Sequence, residues 1–450
     1  MGRLHQLALI GLLLLCLSPG QLCETCAVNE EQRPLVTSLL NTMIQSNDGS
    51  AIPNPNVLLA LRLARDHSRT TEKTLLAQLV ENAKDNGTSM TSGKLALHVL
   101  ALKAACQEPR VVFSSGSNLI NLLEKKFQEE LANIKKTGNP LTNFFQLSLD
   151  VMALCLLKGD YSPSKIANLF SPGWEKYTFG SQFSVDTGAV AVLAQICVQR
   201  INKDEKIEKN IRQLTEKILE SEDRSGIIGN LYSTGLAMQA LSVSGDYYEN
   251  KDWDCNLSLR RMLKEIPLGT FKQPTAAAQL IPALEGKTYL DVTRGCCDSD
   301  PDNLTLSSPS PTAPTNPSTI TVTYKVTDGI SNTFADSIVV SVPQGSVFLK
   351  VMEAARDQDQ TRFGFTQKPS DWGPYITSVR GLKADNNQRT YWQLLSGDEP
   401  LSQGKGGRQE AEPWASVLCL QGKDEKYSHK AWMEQENMGT CRGENLSFIW

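Results

Sequence analysis

The chain has 450 residues, of which 40% are hydrophobic and 21% are charged, with a formal net charge of −4. This length exceeds what one ordinary hydrophobic core organises, so we expect two or more domains. The composition is that of a globular protein. The slight negative charge and the lack of a basic tract argue against a partner made of nucleic acid.

Residues 1–23 have the form of a secretory signal peptide. A short basic start with Arg3 and His5 precedes the apolar run LALIGLLLLCLS, and small residues follow it. The run is too short to span a membrane, and no other stretch approaches about 20 apolar residues. We therefore expect a secreted, soluble protein without a membrane span.

The cysteines and glycosylation sequons agree with export. Eleven cysteines minus Cys16 and Cys23, which lie in the signal peptide, leave nine. Most of these should pair in an oxidising compartment. Sequons predict N-glycosylation at Asn86, Asn256, Asn303 and Asn445.

Within a predicted first domain of residues 24–297, the chain repeats a loose plan from about Pro34 to Leu290. Apolar segments such as NPNVLLALRLAR, SGKLALHVLALKAAC, SVDTGAVAVLAQIC and STGLAMQALSVSGD begin with short polar residues and continue with Ala and Leu. Charged amphipathic segments such as NLINLLEKKFQEELANIKK lie between them. The repeat of roughly 35–55 residues predicts a two-helix unit, arranged as an open solenoid or a closed toroid.

The polar starts of the apolar helices admit two interpretations. For one helix, the simpler one is N-capping, which stabilises a helix by about 1 kcal/mol. In a toroid, however, all inner helices run in the same direction and their N-termini gather at one end. The repeated polar residues would then form one polar patch, with the partial positive charge of the helix ends, on which a ligand could bind.

The composition changes after the toroid. Residues 298–319 are rich in Pro, Ser and Thr and read as a linker. Residues 320–450 contain the alternating, β-branched segments TITVTYKV and SIVVSV, then a helical segment and further strand patterns. We predict a smaller, β-rich α/β domain at the C-terminus.

Catalytic motifs are missing from the sequence. His67, His98 and His429 lie in unrelated contexts, and His98 in LALHVLAL reads as a core or toroid-wall residue. Asp150 and Asp186 are the two acids on apolar helices that a glycosidase on a toroid would need, which leaves a secreted carbohydrate-active enzyme as the alternative function.

Neutral polar groups are more prominent than catalytic ones. Thr142, Gln146, Asn230, Ser233 and Gln279 lie near predicted helix starts. Two tryptophans, Trp372 and Trp392, add flat apolar area with an N–H donor. This lining suits a large ligand with many uncharged amides and an apolar plane.

Several motifs resemble the cobalamin (vitamin B12) carrier family of haptocorrin, intrinsic factor and transcobalamin. They are SVDTGA, GNLYSTGLAMQAL, AAAQLIPALEGKTYLDV, DWGPYI and TYWQLLSGDEPLSQG, and they span nearly the whole chain after the signal peptide. LLNTMIQSN, FGSQFSVDTGA and EPLSQG are most similar to the haptocorrin branch. The resemblance implies a mainly α protein, with an α6/α6 toroid linked to a smaller domain and the ligand held between them.

The resemblance further implies a secreted, monomeric cobalamin carrier without chemical turnover, which tolerates cobalamin analogues and has a cell-surface receptor. On the toroid side it implies ligand contacts by Thr142, Asn143, Phe144, Phe145, Gln146, Asp186, Asn230, Ser233 and Gln279. On the C-terminal side it implies contacts by Asp371, Trp372, Gly373, Pro374, Tyr375, Ile376, Trp392, Gln393, Leu394, Leu395, Ser396, Gly397 and Leu401. Asp186 would accept hydrogen bonds from ligand amides and also cap its own helix.

Two further implications concern cobalt and the cysteines. Gln182 stands where transcobalamin has a histidine that can coordinate cobalt, so we expect no protein ligand to the metal. The family's disulfides map to Cys26–Cys255, Cys155–Cys197, and Cys106 with Cys297 or its neighbour Cys296.

One region departs from the family. Residues 405–443 intervene between EPLSQG and the ending ENLSFIW, and read as a polar, unpatterned insertion whose Cys419 and Cys441 could pair. The insertion puts the last strand of the C-terminal domain in question.

Overall fold

A computed structural model gives the structure of most of the chain between residues 26 and 423. The described residues are 26–47, 53–110, 118–171, 173, 176–179, 182–248, 253–293, 300–304, 319–343, 348–370, 373–384, 390–396, 399–400 and 417–423. The predicted signal peptide lies outside them. None of the helices in these ranges is long and apolar enough to cross a membrane.

Helices of two kinds alternate along the N-terminal domain. The more polar ones are α1 (Arg33–Asn47), α3 (Arg69–Asn86), α5 (Leu119–Thr137), α7 (Pro163–Leu169), α9 (Glu205–Glu220) and α11 (Cys255–Glu265). The apolar ones are α2 (Pro55–Leu63), α4 (Ser92–Ala104), α6 (Phe144–Leu156), α8 (Val185–Ile201), α10 (Ser233–Val243) and α12 (Pro274–Leu284). A short hairpin of β1 (Thr178–Phe179) and β2 (Gln182–Phe183) precedes α8.

The apolar helices form a closed ring. Each contacts the next in the order α2, α4, α6, α8, α10 and α12, and α12 contacts α2 again. The other helices pack outside, so the inner helices are covered on all sides; every residue from Val185 to Gln199 in α8 is buried. The contact between α12 and α2 is what a toroid requires and what an open solenoid lacks.

Neighbouring inner helices run in the same direction, because like ends meet. Asn54 and Thr275, at the beginnings of α2 and α12, are joined by a hydrogen bond from Asn54 Nδ2 to Thr275 Oγ1 of 3.1 Å. At the other end, Arg62 Nε in the last turn of α2 donates to the carbonyl of Ala104, which ends α4. The N-termini of the inner helices therefore gather at one end of the ring.

A short 3-10 helix, Tyr289–Thr293, fills the inside of the ring. It follows α12 and contacts α2, α4, α6 and α8. Gln239 of α10 fixes its first residue, since Gln239 Oε1 accepts a hydrogen bond of 3.1 Å from the Tyr289 amide. The ring is thus filled from the end at which its inner helices terminate.

The beginning of the predicted linker packs against the toroid. The Leu304 amide donates to the His67 carbonyl over 2.9 Å, and the Leu304 side chain lies in the toroid core. Asn303 Oδ1 accepts from the His67 amide over 3.0 Å, and the Asp300 carboxylate pairs with Arg62. Residues 300–304 are therefore attached to the first domain, although their composition resembles that of a linker.

The C-terminal domain is β-rich, as predicted. Its strands are β3 (Thr319–Thr327), β4 (Ala335–Pro343), β5 (Phe365–Ser370), β6 (Gly373–Val379), β7 (Leu382–Lys383), β8 (Thr390–Ser396), β9 (Glu399–Pro400) and β10 (Val417–Lys423). One sheet has the order β4-β3-β10-β8-β9 and the other β5-β6-β7. Helices α13 (Phe348–Gln358) and α14 (Gln360–Phe363) cover a separate core that includes Tyr324 and Val351.

The central strand β10 comes from the segment that we expected to be an unpatterned insertion. It pairs parallel with β3, with Val417 opposite Tyr324, and antiparallel with β8, with Cys419 opposite Leu394. The expectation was wrong for these residues because VLCLQGK is β-prone despite its polar surroundings. Cys441 lies outside the described residues, so its pairing with Cys419 stays a prediction.

Ring closure depends on a close approach at Gly235. A Cβ atom there would lie 2.9 Å from the Leu280 Cα and 3.0 Å from the Gln279 carbonyl oxygen, and neither backbone atom can rotate away. We expect Gly235→Ala to lower the free energy of unfolding by about 1–3 kcal/mol, measured by denaturant titration. Gly245→Ala is the control, since the nearest atom to its Cβ is the Tyr248 hydroxyl at 3.9 Å. Equal stability of the two variants would contradict the close approach.

Candidate functional site

Asp186 lies at the end of the ring where the inner helices begin. It is the second residue of α8 and is 1% exposed. Ser233 Oγ, at the start of α10, donates to Asp186 Oδ2 over 2.7 Å. The other carboxylate oxygen, Oδ1, is buried and has no hydrogen-bond partner among the described residues.

Asp186 does not cap its own helix, contrary to the expectation from the sequence. The N-cap of α8 is Ser184, whose Oγ accepts from the Thr187 amide over 3.3 Å. The cap position lies immediately before the first helical residue, Val185, whereas Asp186 is the second helical residue. Its carboxylate is therefore available for another role.

Burial raises the pKa of Asp186 to about 7, while the Ser233 hydroxyl and the Asp186 backbone amide act to lower it. A buried carboxylate with one unpartnered oxygen is costly unless a donor reaches it. The position therefore suits an external N–H or O–H donor.

Asn230, in the turn before α10, holds the backbone of Ser233, the residue that contacts Asp186. Asn230 Oδ1 accepts from the amides of Tyr232 and Ser233, over 2.8 and 2.9 Å. These bonds satisfy free N–H groups of the first turn and hold Ser233 in reach of Asp186. Asn230 thus shapes the site through its oxygen.

Two glutamines add further unpartnered acceptors. Gln146 Oε1 on α6 and Gln279 Oε1 on α12 are buried and lack a hydrogen-bond partner within the described part of the chain. Both residues belong to the predicted site. Together with Asp186, they place buried, unsatisfied acceptors on three different inner helices, although most buried polar groups in folded proteins are paired.

The residues around Gln146 have mainly structural contacts. Asn143 is the N-cap of α6, and its Oδ1 accepts from the Gln146 amide over 2.9 Å. Phe144 and Phe145 are buried in the toroid core, with the Phe144 ring 6.4 Å from the ring of Tyr177. Ligand contacts by these three residues stay predictions, and their packing offers another reason for their presence.

Thr142 is held by a residue that the sequence did not point to. Its amide donates to Glu130 Oε2 over 3.1 Å, and its hydroxyl donates to Glu130 Oε1 over 2.8 Å. Glu130 is 2% exposed although it lies in the charged stretch QEELANIKK. The available signal was its spacing, because Ile120, Leu123 and Phe127 put Glu130 on the apolar stripe of α5.

Asp150 is fully buried on α6, and neither of its oxygens has a hydrogen-bond partner among the described residues. Burial is the main cause of a pKa well above its usual range, and the charge of Glu130 raises it further. The Ser92 hydroxyl and Lys126 act in the opposite direction. Asp150 and Asp186 therefore have different neighbours, and no contact joins them as a catalytic pair.

The predicted residues of the C-terminal domain are only partly described. Trp392 is 5% exposed and belongs to the core, where its Nε1 donates to the Leu382 carbonyl over 3.2 Å. Ile376 and Leu394 also pack in that core. The side chains of Gly373, Pro374, Tyr375, Gln393, Leu395 and Ser396, and all of Asp371, Trp372, Gly397 and Leu401, lie outside the described residues. Trp392 thus packs in this core, and its contact with a ligand stays a prediction.

Histidines and metal sites give no second candidate. His98 lies in the toroid wall, with Nδ1 2.8 Å from the Lys94 carbonyl and Nε2 3.2 Å from Asn82 Oδ1. Among the described residues, no group of three or more His, Cys, Asp or Glu side chains could hold a metal ion. The backbone of Gln182 lies in β2, and its side chain is outside the described part.

One of the implied disulfides is present among the described residues. A disulfide joins Cys155 of α6 to Cys197 of α8. Cys106 is disulfide-bonded, and both Cys296 and Cys297 lie outside the described residues. The side chains of Cys26 and Cys255 are in contact; burial raises the pKa of Cys26, and the hydrogen bond with Cys255 raises it further. Their disulfide stays a prediction.

The sequons occupy different surroundings. Asn86 ends α3 and is exposed, and Asn303 is exposed while bonded to the toroid. Asn256 is half-buried in α11, and Asn445 lies outside the described residues. Glycan occupancy at all four stays a prediction.

Comparisons with known proteins agree on one family. A family model described as "Eukaryotic cobalamin-binding protein" matches residues 8–318, and a model of a domain of unknown function matches residues 345–409. Transcobalamin-1 of Homo sapiens is 47% identical over 421 residues, covering 90% of this chain and 96% of that protein. Cobalamin binding intrinsic factor of Mus musculus is 36% identical, covering 85% of this chain and 90% of that protein. A crystal structure of haptocorrin in complex with Cbi superposes with a TM-score of 0.78 at 42% identity, covering 89% of this chain and 100% of that one.

The raised pKa of Asp186 predicts how pH affects stability without ligand. Its pKa of about 7 in the folded state exceeds the ordinary 3.8, so the folded protein binds more protons between these values and gains stability as pH falls. We expect Asp186→Asn to remove up to about 4 kcal/mol of the gain between about pH 8 and pH 4, measured by denaturant titration.

The control is Asp328→Asn in the C-terminal domain. Although burial opposes them, hydrogen bonds from Thr333, Ser331 and Ile330 lower the pKa of Asp328. The Asp328 side chain is ionised above about pH 5 in both the folded and the unfolded protein. This variant should therefore keep the wild-type slope of the free energy of unfolding against pH between pH 5 and pH 8. If Asp186→Asn does not change the slope of the free energy of unfolding against pH, another group causes that slope.

Proposed function

The chain belongs to the eukaryotic cobalamin-binding protein family, and from this membership we propose that it is a cobalamin carrier whose bound corrinoid undergoes no chemical turnover. Its relatives include a transcobalamin and intrinsic factors. Its solved structural neighbour, haptocorrin, is in complex with Cbi, a corrinoid. The alternative of a carbohydrate-active enzyme gains no support from these relatives.

One observation in this chain carries the proposal. Gln146 Oε1, Asp186 Oδ1 and Gln279 Oε1 are buried acceptors without partners, on inner helices of one ring. A corrin ring bears uncharged amide side chains whose N–H groups are donors. Such a ligand would satisfy these oxygens without bringing a second charge beside Asp186.

We place the second half of the site on the C-terminal domain. Residues Asp371–Ile376 and Trp392–Leu401 would then cover the ligand from the other side, as the family resemblance implies. Since the two domains have separate cores, the ligand would bind to both and hold them together.

The carrier would leave the upper face of cobalt to an external ligand. Gln182 offers a neutral carboxamide, which binds cobalt poorly compared with imidazole. Secretion, a monomeric state, a cell-surface receptor and tolerance for cobalamin analogues complete the proposal, on the basis of the signal-like N-terminus and the family.

The visible spectrum tests this proposal directly. Protein mixed with aquocobalamin and then dialysed should stay red, because slow dissociation retains the ligand. Azide should displace the bound water, since no histidine competes for cobalt. The matched control is Asp186→Ala combined with Gln279→Ala, which should lose colour faster. Loss of colour from the wild-type protein would refute the proposed function, and resistance to azide would refute the assignment of Gln182.

Cleavage of the linker tests the two-sided site. Residues 305–318 follow Leu304, the last described residue that packs on the toroid, so a protease site placed there separates the domains without cutting the packed strap of residues 300–304. We expect the fragments to co-elute in gel filtration with cobalamin and to separate without it, because the ligand bridges them. Stable association of the ligand-free fragments would contradict this mode of binding.

A further inference from the structure

We propose that Glu130 is a positioning residue of the cobalamin site, whose carboxylate accepts a hydrogen bond from the Thr142 hydroxyl and so presents the Thr142 oxygen to the ligand as a hydrogen-bond acceptor. This inference rests on the proposed function and adds a residue to its site. Glu130 itself does not touch the ligand in this account.

Glu130 joins three elements through one buried carboxylate. Its Oε1 accepts from the Ser92 hydroxyl over 2.9 Å and from the Thr142 hydroxyl over 2.8 Å. Its Oε2 accepts from the Thr142 amide over 3.1 Å. An outer helix, the start of inner helix α4 and the loop before inner helix α6 thus meet at Glu130.

The chemistry of these groups fixes the direction of each bond. A carboxylate offers only acceptors, and the Thr142 amide offers only a donor. A threonine hydroxyl has one proton, which is used in the bond to Oε1. What remains on Thr142 Oγ1 for a ligand is lone-pair capacity, so Thr142 accepts from the ligand.

The same arrangement occurs at Asp186. The Ser233 hydroxyl donates a hydrogen bond to Asp186 Oδ2. Two buried carboxylates therefore orient two hydroxyls in the same sense. Together with the buried, unpartnered oxygens of Gln146, Asp186 and Gln279, they add to the acceptors on the inner helices. A set of acceptors is complementary to primary amide N–H groups and unfavourable for carboxylates.

A purely structural role for Glu130 would give a different result from a positioning role. If Glu130 only anchors the loop, its loss lowers stability and affects ligand binding independently of the Thr142 hydroxyl. If it orients that hydroxyl, the two residues act through one ligand contact. Their effects on ligand dissociation must then be coupled.

The experiment is a double-mutant cycle. The measured quantity is the rate at which bound cyanocobalamin dissociates while an excess of a scavenger captures the released ligand. Glu130→Gln keeps the side-chain volume but places a donor where two acceptors are needed. We expect Glu130→Gln and Thr142→Val each to raise the off-rate of cyanocobalamin about tenfold. The off-rate of the double variant should exceed that of the faster single variant by no more than about twofold.

Glu265→Gln is the matched control. Glu265 ends an outer helix and accepts from the Thr270 hydroxyl over 2.5 Å in the loop before α12, which carries no predicted ligand contact. The off-rate of cyanocobalamin from Glu265→Gln should stay within about twofold of the wild-type rate. Thermal unfolding of each ligand-free variant shows that the comparison is made on folded protein.

An unchanged off-rate in folded Glu130→Gln, or an increase of about a hundredfold in the double variant, would overturn the proposal. If Glu130→Gln does not fold, Thr142→Ser should keep the wild-type off-rate while Thr142→Val raises it; equal rates would overturn the proposal too. Failure of the wild-type protein to bind cyanocobalamin would refute the proposed function and this inference with it, whereas the variants are judged only against a wild type that binds.

Discussion

Six inner helices that run in the same direction bring six N-termini to one end of a ring. Each N-terminus carries backbone N–H groups that its own helix cannot satisfy. Short polar side chains are needed there first as caps, and Asn54, Asn143 and Ser184 serve this purpose. Once the caps are assigned, other polar atoms at the same end remain without a partner. The geometry that closes the ring therefore also creates a polar surface at one of its ends.

The leftover atoms have an energetic consequence. A buried acceptor without a partner costs about 1–3 kcal/mol, and a buried charge costs more. Gln146, Asp186 and Gln279 carry this cost, as do Asp150 and Gln195 on the same inner helices, in a ring whose other buried residues are mostly apolar. A donor-bearing ligand would remove the cost as it binds. The site is thus a destabilised part of a rigid scaffold, which is how a protein can gain affinity without changing its fold.

Much of this arrangement could be predicted from the sequence. The alternation of apolar and amphipathic segments predicted the paired helices, and the polar starts of SVDTGA and STGLAMQAL predicted where the site would form. Which of those residues caps a helix and which remains available for a ligand could not be predicted, because a shift of one or two positions along the helix start changes the role. Ser184 caps α8 and leaves one carboxylate oxygen of Asp186 without a partner among the described residues, although both are short polar residues at the same helix start. Glu130 was hidden in a charged stretch, where a solvent-exposed face is the usual outcome.

Tertiary contacts decided the remaining differences. Residues 300–304 have the composition of a linker, yet Arg62 and His67 attach them to the toroid. The segment VLCLQGK lies in a polar insertion, yet the gap between β3 and β8 gives it a place in the sheet. In both cases a partner distant in sequence determines the local structure.

The central claim is that the unpartnered oxygens of the inner helices receive N–H donors from a corrinoid. A crystal structure of the chain with bound cobalamin measures this most directly. The account predicts amide nitrogens of the ligand within about 3.2 Å of Asp186 Oδ1 and of the side-chain oxygens of Gln146 and Gln279. A corrinoid bound elsewhere, with these three oxygens still unpartnered or facing only the protein, would contradict it.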